Sequence, residues 1–561
     1  MRSVTGAGEQ TPATDPAPPA GRTRLLTSLA VAGIVGSILI MIAASVLRNG
    51  WNSPVLVLPR LGPPWGVQSR HLSAGAASVA LWIAVLAGTG GVIAGLVAVR
   101  RGARPSIRAV LIAAGIAVAA LTVLPVAGSN DALDYAAYGR IMAIGHSPYV
   151  MKPQHLILLH NAFSHAVPGP WRGFVSVYGP LATFEQFLAA KLGGLSAARI
   201  TFWLKLWDSI AFALVAFVAD RLLRGDPARR LRAHLLWTIN PLLLWDVIAA
   251  GHLDVLAAAA GLLGLLALGR HSEEAPTPLL RVIAAGALIG VAVDVKANYL
   301  LFGLAAAWVL RRSLAALAAG VGAALVVLAP GYAYFGIRAV HAVIARRNGL
   351  SADSMYRFVE FPPTKDVVAP VAALLVIAVA ALLFRRLPFG SDTGADAISA
   401  GHSATPAASR GNPSAPAAIS PGSATVPAGS AAIPGGPALW VALVLTLAWL
   451  FFWPYEYPWY DVMIICLLML YPASRLDWLV LARIAAGTLA NVPGNPNAAL
   501  NWLIGGVHHG IVEGVAPVVL LAAAVALIVF CRTGHWGLAA PADPPLGTAP
   551  QPDRLMPTAT S

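Results

Sequence analysis

Two carboxylates three residues apart open the most chemically dense part of the chain. In SNDALDYAAYGRIMAIGHSPYVMKP, Asp131 and Asp134 fall on one face of a helix with Tyr135 and Tyr138. Such a carboxylate can serve as a general base. Ser129 or Asn130 could cap that helix, and the same residues also describe a capped interfacial helix with solvated acids. Further on, SVYGPLATFEQF carries Tyr178, Gly179, Pro180 and Glu185. It reads as a turn entering an amphipathic helix on a membrane, with Tyr178 still available to a substrate.

Three more stretches place polar groups among apolar ones. In INPLLLWDVIAAGHLDVLAA these are Trp245, Asp246, His252 and Asp254. Ionisable residues at membrane depth are costly and face a cavity or a partner. One His and one Asp fall short of a metal-ligand set, so a cavity-lining polar pair is expected and no metal site is. In VAVDVKANYLLFG, Asp294 and Lys296 form either an internal pair across a helix break or a cation for an anionic lipid headgroup. In FFWPYEYPWYDVM, the residues Trp453, Tyr455, Tyr457, Trp459 and Tyr460 form either an aromatic interface belt or a surface on which sugars stack, with Glu456 and Asp461 binding hydroxyls. A last segment is basic, with Arg338, His341, Arg346, Arg347, Arg357 and Lys365. It could bind a lipid phosphate or an anionic glycan, or only touch anionic headgroups.

The elements that must position these groups are membrane helices. Of 561 residues, 58% are hydrophobic and only 11% charged, against about 25% charged in a soluble chain. The apolar runs are continuous, not alternating, which excludes a β-barrel. They lie near 24–47, 73–99, 106–126, 199–222, 233–250, 253–269, 279–295, 296–310, 313–334, 367–384, 437–453, 460–473, 478–490 and 512–531. The fold class is therefore an all-α polytopic membrane bundle of about 12–14 transmembrane helices. The first run is a retained span and not a signal peptide. Cys466 and Cys531 sit in apolar runs and read as small apolar residues.

The net charge of +14 does not point to nucleic acid. The arginines sit in short loops beside span ends: Arg100, Arg101, Arg104, Arg221, Arg224, Arg229, Arg230, Arg232, Arg311, Arg312, Arg385 and Arg386. With the N-terminus in the cytoplasm these clusters repeatedly fall inside. Residues 1–22 are then an expected disordered cytoplasmic segment, 23–387 a first membrane region, 388–436 a flexible cytoplasmic linker of Ala, Ser, Pro and Gly, 437–535 a second membrane region and 536–561 a disordered cytoplasmic tail. Two long loops, 127–198 and 335–366, face the other side, and long ordered loops are usually functional.

Taken in order, these motifs resemble the polyprenol-phosphate-mannose-dependent α-1,6-mannosyltransferases of actinobacteria, in the GT-C class of membrane glycosyltransferases. The resemblance rests on Ser129-Asn130-Asp131 with Tyr135 and Gly139, Gly145-x-x-Pro148-Tyr149, Tyr178-Gly179-Pro180, Asn240-Pro241 with His252-x-Asp254, Val295-Lys296-Ala297 and Tyr457-Pro458-Trp459-Tyr460. The chain departs from the family pattern at Leu253, where a polar residue is expected, and at Asp134, an added acid. Both departures leave room for a changed acceptor.

The resemblance implies a GT-C-like bundle with interfacial helices in the first non-cytoplasmic loop. It also implies transfer of mannose, with inversion, from polyprenyl-phosphate-mannose to an α-1,6-mannan or lipoglycan acceptor on the non-cytoplasmic face of the plasma membrane. Asp131 would be the base and Asp134 a possible secondary acid. Tyr135, Tyr149, Tyr178, His252, Asp254, Lys296, Trp459 and Tyr460 would bind substrate, and Arg346, Arg347 and Lys296 would bind phosphate. No cofactor is predicted. The partners are the lipid-linked donor, the glycan acceptor and membrane lipids, with no nucleic acid. The competing readings are a transporter or flippase of a lipid-linked glycan, which would show broken helices in a repeated pattern, and a scaffold subunit of an envelope complex.

Overall fold

The computed structural model describes residues 20–49, 57–157, 169–269, 276–344, 349–359, 365–387, 436–492 and 502–534. The expected disordered segments, the 388–435 stretch of the linker, Arg346 and Arg347 lie outside the described residues, as does all of the N-terminal segment but Ala20–Arg22, which begin a helix.

Each of the fourteen apolar runs has a helical counterpart. The first region holds α1 (Ala20–Val46), α2 (Ala74–Arg100), α3 (Ile107–Val123), α4 (Asp131–Ala143), α5 (Pro180–Gly193), α6 (Ala197–Leu222), α7 (Pro227–Leu236), the single turn α8 (Pro241–Leu243) and α9 (Asp254–Leu268). It continues through α10 (Leu279–Val295), α11 (Leu300–Leu310), α12 (Leu314–Phe335), α13 (Ile337–Ile344) and α14 (Lys365–Arg386). The second region holds α15 (Gly436–Phe452), α16 (Val462–Leu468), α17 (Leu476–Asn491), α18 (Trp502–Gly510) and α19 (Ala516–Thr533). A short parallel ladder between β1 (Leu47–Asn49) and β2 (Val67–Leu72) interrupts an otherwise helical chain.

The protein is a polytopic all-α membrane protein. Six described helices are long and apolar enough to cross a bilayer, or seven when the bent pair Pro227–Ala249 and Asp254–Leu268 counts as one span. These are fewer full crossings than the 12–14 helices expected. Several of the remaining runs form shorter apolar helices of 10–17 residues: Ile107–Val123, Ala297–Leu310, Gly436–Phe452 and Pro458–Leu468. The bent pair turns by 115° at a break holding Gly251 and His252. The outer faces of α12 and α14 stay uncovered, as lipid-facing helices do, while α9, α15 and α16 are buried almost throughout.

A bidentate ion pair ties the two regions together at the end of the bundle opposite the acid-bearing loops. Arg232 of α7 reaches Asp477 of α17 through Nε at 2.9 Å and Nη2 at 2.5 Å, and both groups are buried. The same guanidinium donates to the Tyr471 carbonyl at 2.7 Å and to the Leu468 carbonyl at 3.3 Å. It thereby satisfies carbonyls left open where α16 ends. Cys466 and Cys531 are free and buried, in keeping with their apolar surroundings.

Candidate functional site

Asp131 is the first residue of α4, and its amide donates to Ser129 Oγ at 3.2 Å. Asn130 takes the cap position without a side-chain cap bond. The helix is not a solvated surface element, since residues Ala132 to Gly139 are all buried. That packing separates the two acids. Asp131 keeps 20% of its side chain exposed and points towards His252, with Oδ2 3.8 Å from Nδ1. Asp134 is buried, and its Oδ1 has no hydrogen-bond partner among the described residues. Burial lifts the Asp131 carboxyl to about 6, with Lys296 opposing the rise and Asp254 adding to it. Asp134 is held well above the usual carboxylate range by deeper burial and then by the charge of Asp131.

The residues singled out in sequence converge on this acid. The Tyr135 hydroxyl lies 3.4 Å from His252 Nδ1 and receives a hydrogen bond from the Tyr178 hydroxyl at 3.2 Å. Tyr149 stands one step back: its hydroxyl donates to the Tyr178 carbonyl at 2.8 Å and lies 2.9 Å from Thr183 Oγ1. His252 and Asp254 do not pair with each other. Asp254 accepts from Lys296 Nζ at 2.5 Å through Oδ1. The pairing of Lys296 with Asp294, one reading of the sequence, is thus corrected. Lys296 follows the end of α10 in extended backbone, which carries it away from Asp294 and across to the start of α9.

In the aromatic turn Trp459 is buried, while Trp453, Tyr455, Tyr457 and Tyr460 are half-buried. Trp459 stacks on His252 with centroids 3.8 Å apart, and on Tyr457 with centroids 4.6 Å apart. Both faces of its indole are therefore covered. Tyr460 presents its ring to the Lys296 ammonium, 3.9 Å from the centroid. Two buried polar atoms at the centre, His252 Nε2 and Asp254 Oδ2, have no hydrogen-bond partner among the described residues. Buried polar groups are ordinarily satisfied, so these two are the natural points of contact for a polar ligand.

Residues 30–312 match the family described as alpha-(1->6)-mannopyranosyltransferase, N-terminal domain. The chain belongs to this family. It is also 27% identical over 158 residues to an alpha-(1->6)-mannopyranosyltransferase of Mycobacterium tuberculosis, a match covering 28% of this chain and 27% of that protein. No solved structure matches.

The family domain contains Asp131, Tyr135, Tyr149, Tyr178, His252, Asp254 and Lys296 but ends before Trp459 and Tyr460. The cluster of side chains is therefore built from both parts of the chain. A support that sequence reasoning missed lies under the aromatic turn. Arg483 of α17 reaches Glu456 at 2.6 Å and Asp461 at 2.8 Å, with all three side chains buried. Asp353 is buried nearby, and burial lifts its carboxyl to about 6 and that of Glu456 to about 8, with Arg483 opposing both. Only the regularity of α17 could have signalled Arg483, because its partners lie more than twenty residues away. In the basic loop Arg357 pairs with Glu513, while Arg338 and His341 are exposed on α13. The side chain of Lys365 lies outside the described residues.

Proposed function

We propose that this protein transfers mannose from polyprenyl-phosphate-mannose to a hydroxyl of an α-1,6-mannan or lipoglycan acceptor. Asp131 takes the hydroxyl proton as the new bond forms between the acceptor oxygen and the sugar C1, while the bond from C1 to the phosphate oxygen breaks. The phosphate departs with the bonding pair. A phosphate is already a good leaving group, so one base and a cation suffice, unlike the two carboxylates typical of hydrolysis. Lys296 is the cation for that phosphate. Inversion of a β-linked donor gives the α-mannoside.

The observation that carries this reading is the Asp131–His252–Lys296–Asp254 cluster at one end of the bundle, inside a family domain of mannopyranosyltransferases. A carboxyl at about 6 supports the role of base, because it is a stronger base than an ordinary aspartate and still largely ionised at neutral pH. His252 Nε2 and Asp254 Oδ2 offer unpartnered atoms to sugar hydroxyls, and Tyr135 and Tyr178 orient His252 through Nδ1. Asp134, whose carboxyl burial pushes well above the usual carboxylate range, is the possible secondary acid of the proposal. Arg346 and Arg347 are further phosphate contacts on the second long loop. The positive-inside pattern supports a cluster facing the non-cytoplasmic side of the plasma membrane.

The deciding experiment measures transfer of labelled mannose from polyprenyl-phosphate-mannose in membranes holding wild type or Asp131→Asn. Wild type transfers and the variant does not. Full activity in a normally expressed Asp131→Asn protein rules out that residue as the base. If wild type takes no polyprenyl-phosphate sugar, the transferase reading falls and transport of a lipid-linked glycan takes its place.

A further inference from the structure

A buried lysine remains that the transfer chemistry does not use. Lys205 lies inside α6 with its side chain fully buried. Its ammonium donates to the carbonyls of Leu121 at 2.5 Å, Leu124 at 2.8 Å and Pro125 at 3.5 Å. These carbonyls close the end of α3, where the helix leaves them without partners of its own. A cation in this interior is costly unless its environment holds it. Three carbonyls offset that cost by accepting its hydrogen bonds, and Asp208 follows one turn further along α6.

The place of these contacts matters more than their number. Beyond Pro125 the chain runs through a short strap to Asp131, and along the strap the Ala127 amide donates to the Ala249 carbonyl at 2.9 Å. Ala249 in turn ends the π-helical turn that leads to His252. The lysine stem touches the other end of the same construction. Gly251 adopts a positive φ of 69°, and a Cβ there would stand 3.0 Å from Lys205 Cγ and 3.2 Å from Ala132 Cβ. Lys205 therefore packs against the residue before His252, and that residue packs against the one after Asp131.

We propose that Lys205 is a positioning residue that sets the placement of Asp131 relative to His252, its ammonium anchoring the strap before Asp131 and its stem seating Gly251 before His252. The proposal rests on the reading of Asp131 as the base. Misplacing a reacting group by about 1 Å costs on the order of 100-fold in rate, so loss of the anchor acts on turnover and not on donor binding.

The test uses the full-length protein in lipid nanodiscs, comparing wild type, Lys205→Met, which keeps the stem and loses the donor, and Lys205→Gln, which keeps a shorter donor. Lys205→Met is expected to lower kcat by roughly 10- to 100-fold with KM for the donor within about threefold, and Lys205→Gln to recover part of the loss. A second readout needs no donor: labelling of Asp131 by dicyclohexylcarbodiimide at about pH 6, followed by mass spectrometry of its peptide. A loosened strap lets water reach the acid, ionises it and lowers labelling by at least about threefold. A purely structural lysine would lower the melting temperature and leave kcat per folded molecule and Asp131 labelling as in wild type, which overturns the proposal. If Lys205→Met does not fold, Gly251→Ala loads the same contact from the other side. It is expected to give the same selective loss of kcat and labelling, and wild-type values in that variant are equally fatal. If wild type shows no transfer, the transferase reading fails, while the labelling comparison still decides the role of Lys205.

Discussion

The Trp459 indole lies flat on the His252 imidazole, with centroids 3.8 Å apart and planes 13° apart. Its other face is taken by Tyr457, whose ring is within 2° of parallel. The stack fixes the imidazole plane, and with it the direction in which Nδ1 meets Asp131 and Tyr135. Trp459→Phe retains a ring and should keep most of the transfer rate. Trp459→Leu loses the stack and should lower kcat by about tenfold or more, with destabilisation of about 1–3 kcal/mol. Turnover normalised to folded protein, alongside thermal melting in detergent, separates the two effects.

The acid limb of the pH–rate profile should lie at about 6 and not near the ordinary aspartate value of 3.8. The sign follows from the role. A base must be ionised to accept a proton, burial raises the pH at which Asp131 ionises, and activity rises as pH increases through that point. Asp131→Asn should lose about 100- to 10,000-fold at every pH and show no such limb. An unshifted limb in the Asp131→Asn residual activity would assign the titration to another group.

Breaking the Lys296–Asp254 pair should cost stability and activity in different proportions. Lys296→Met strands a buried carboxylate, for about 3–5 kcal/mol of destabilisation, and removes the cation proposed for the phosphate, for roughly 100- to 1,000-fold in kcat. The double variant Lys296→Met/Asp254→Asn leaves no stranded charge. It should regain much of the melting temperature and none of the turnover. Recovery of turnover in the double variant would contradict a direct role for the ammonium.

Gly179 stands where the Tyr178-Gly179-Pro180 turn meets the end of α10. A Cβ there would fall 1.7 Å from the Asp294 carbonyl oxygen, a backbone atom that cannot step aside. Gly179→Ala should therefore destabilise by about 3 kcal/mol or more and displace Tyr178 from Tyr135. Gly90→Ala, in α2 with no atom within 4 Å of the added carbon, should instead stabilise by about 0.5–1 kcal/mol. Melting curves of the two proteins side by side check the contrast.

The sequence shows membrane helices plainly because apolar length is a local property, and each apolar run has its helix. It also shows which residues could do chemistry, since Asp131, His252, Asp254 and Lys296 are conspicuous in apolar surroundings. Pairing is what it conceals. Lys296 has Asp294 two residues away, and proximity in sequence favours that partner, but a helix end between them redirects the side chain to Asp254. Trp459 looks like a sugar platform from its type alone, and only the fold shows both of its faces occupied. Lys205 and Arg483 stay hidden for a different reason. One bonds to backbone carbonyls about eighty residues upstream, and the other to acids on a turn before its own helix. Neither carries a motif.

The clamp at the opposite end has a consequence for biogenesis. Arg232 and Asp477 are 245 residues apart, and among the described residues no carboxylate of the first region pairs with Arg232. While the chain is being made, α7 carries a guanidinium whose carboxylate partner has not yet left the ribosome. A chain halted before α17 lacks that carboxylate. Arg232 therefore gains its carboxylate only once α17 has been made.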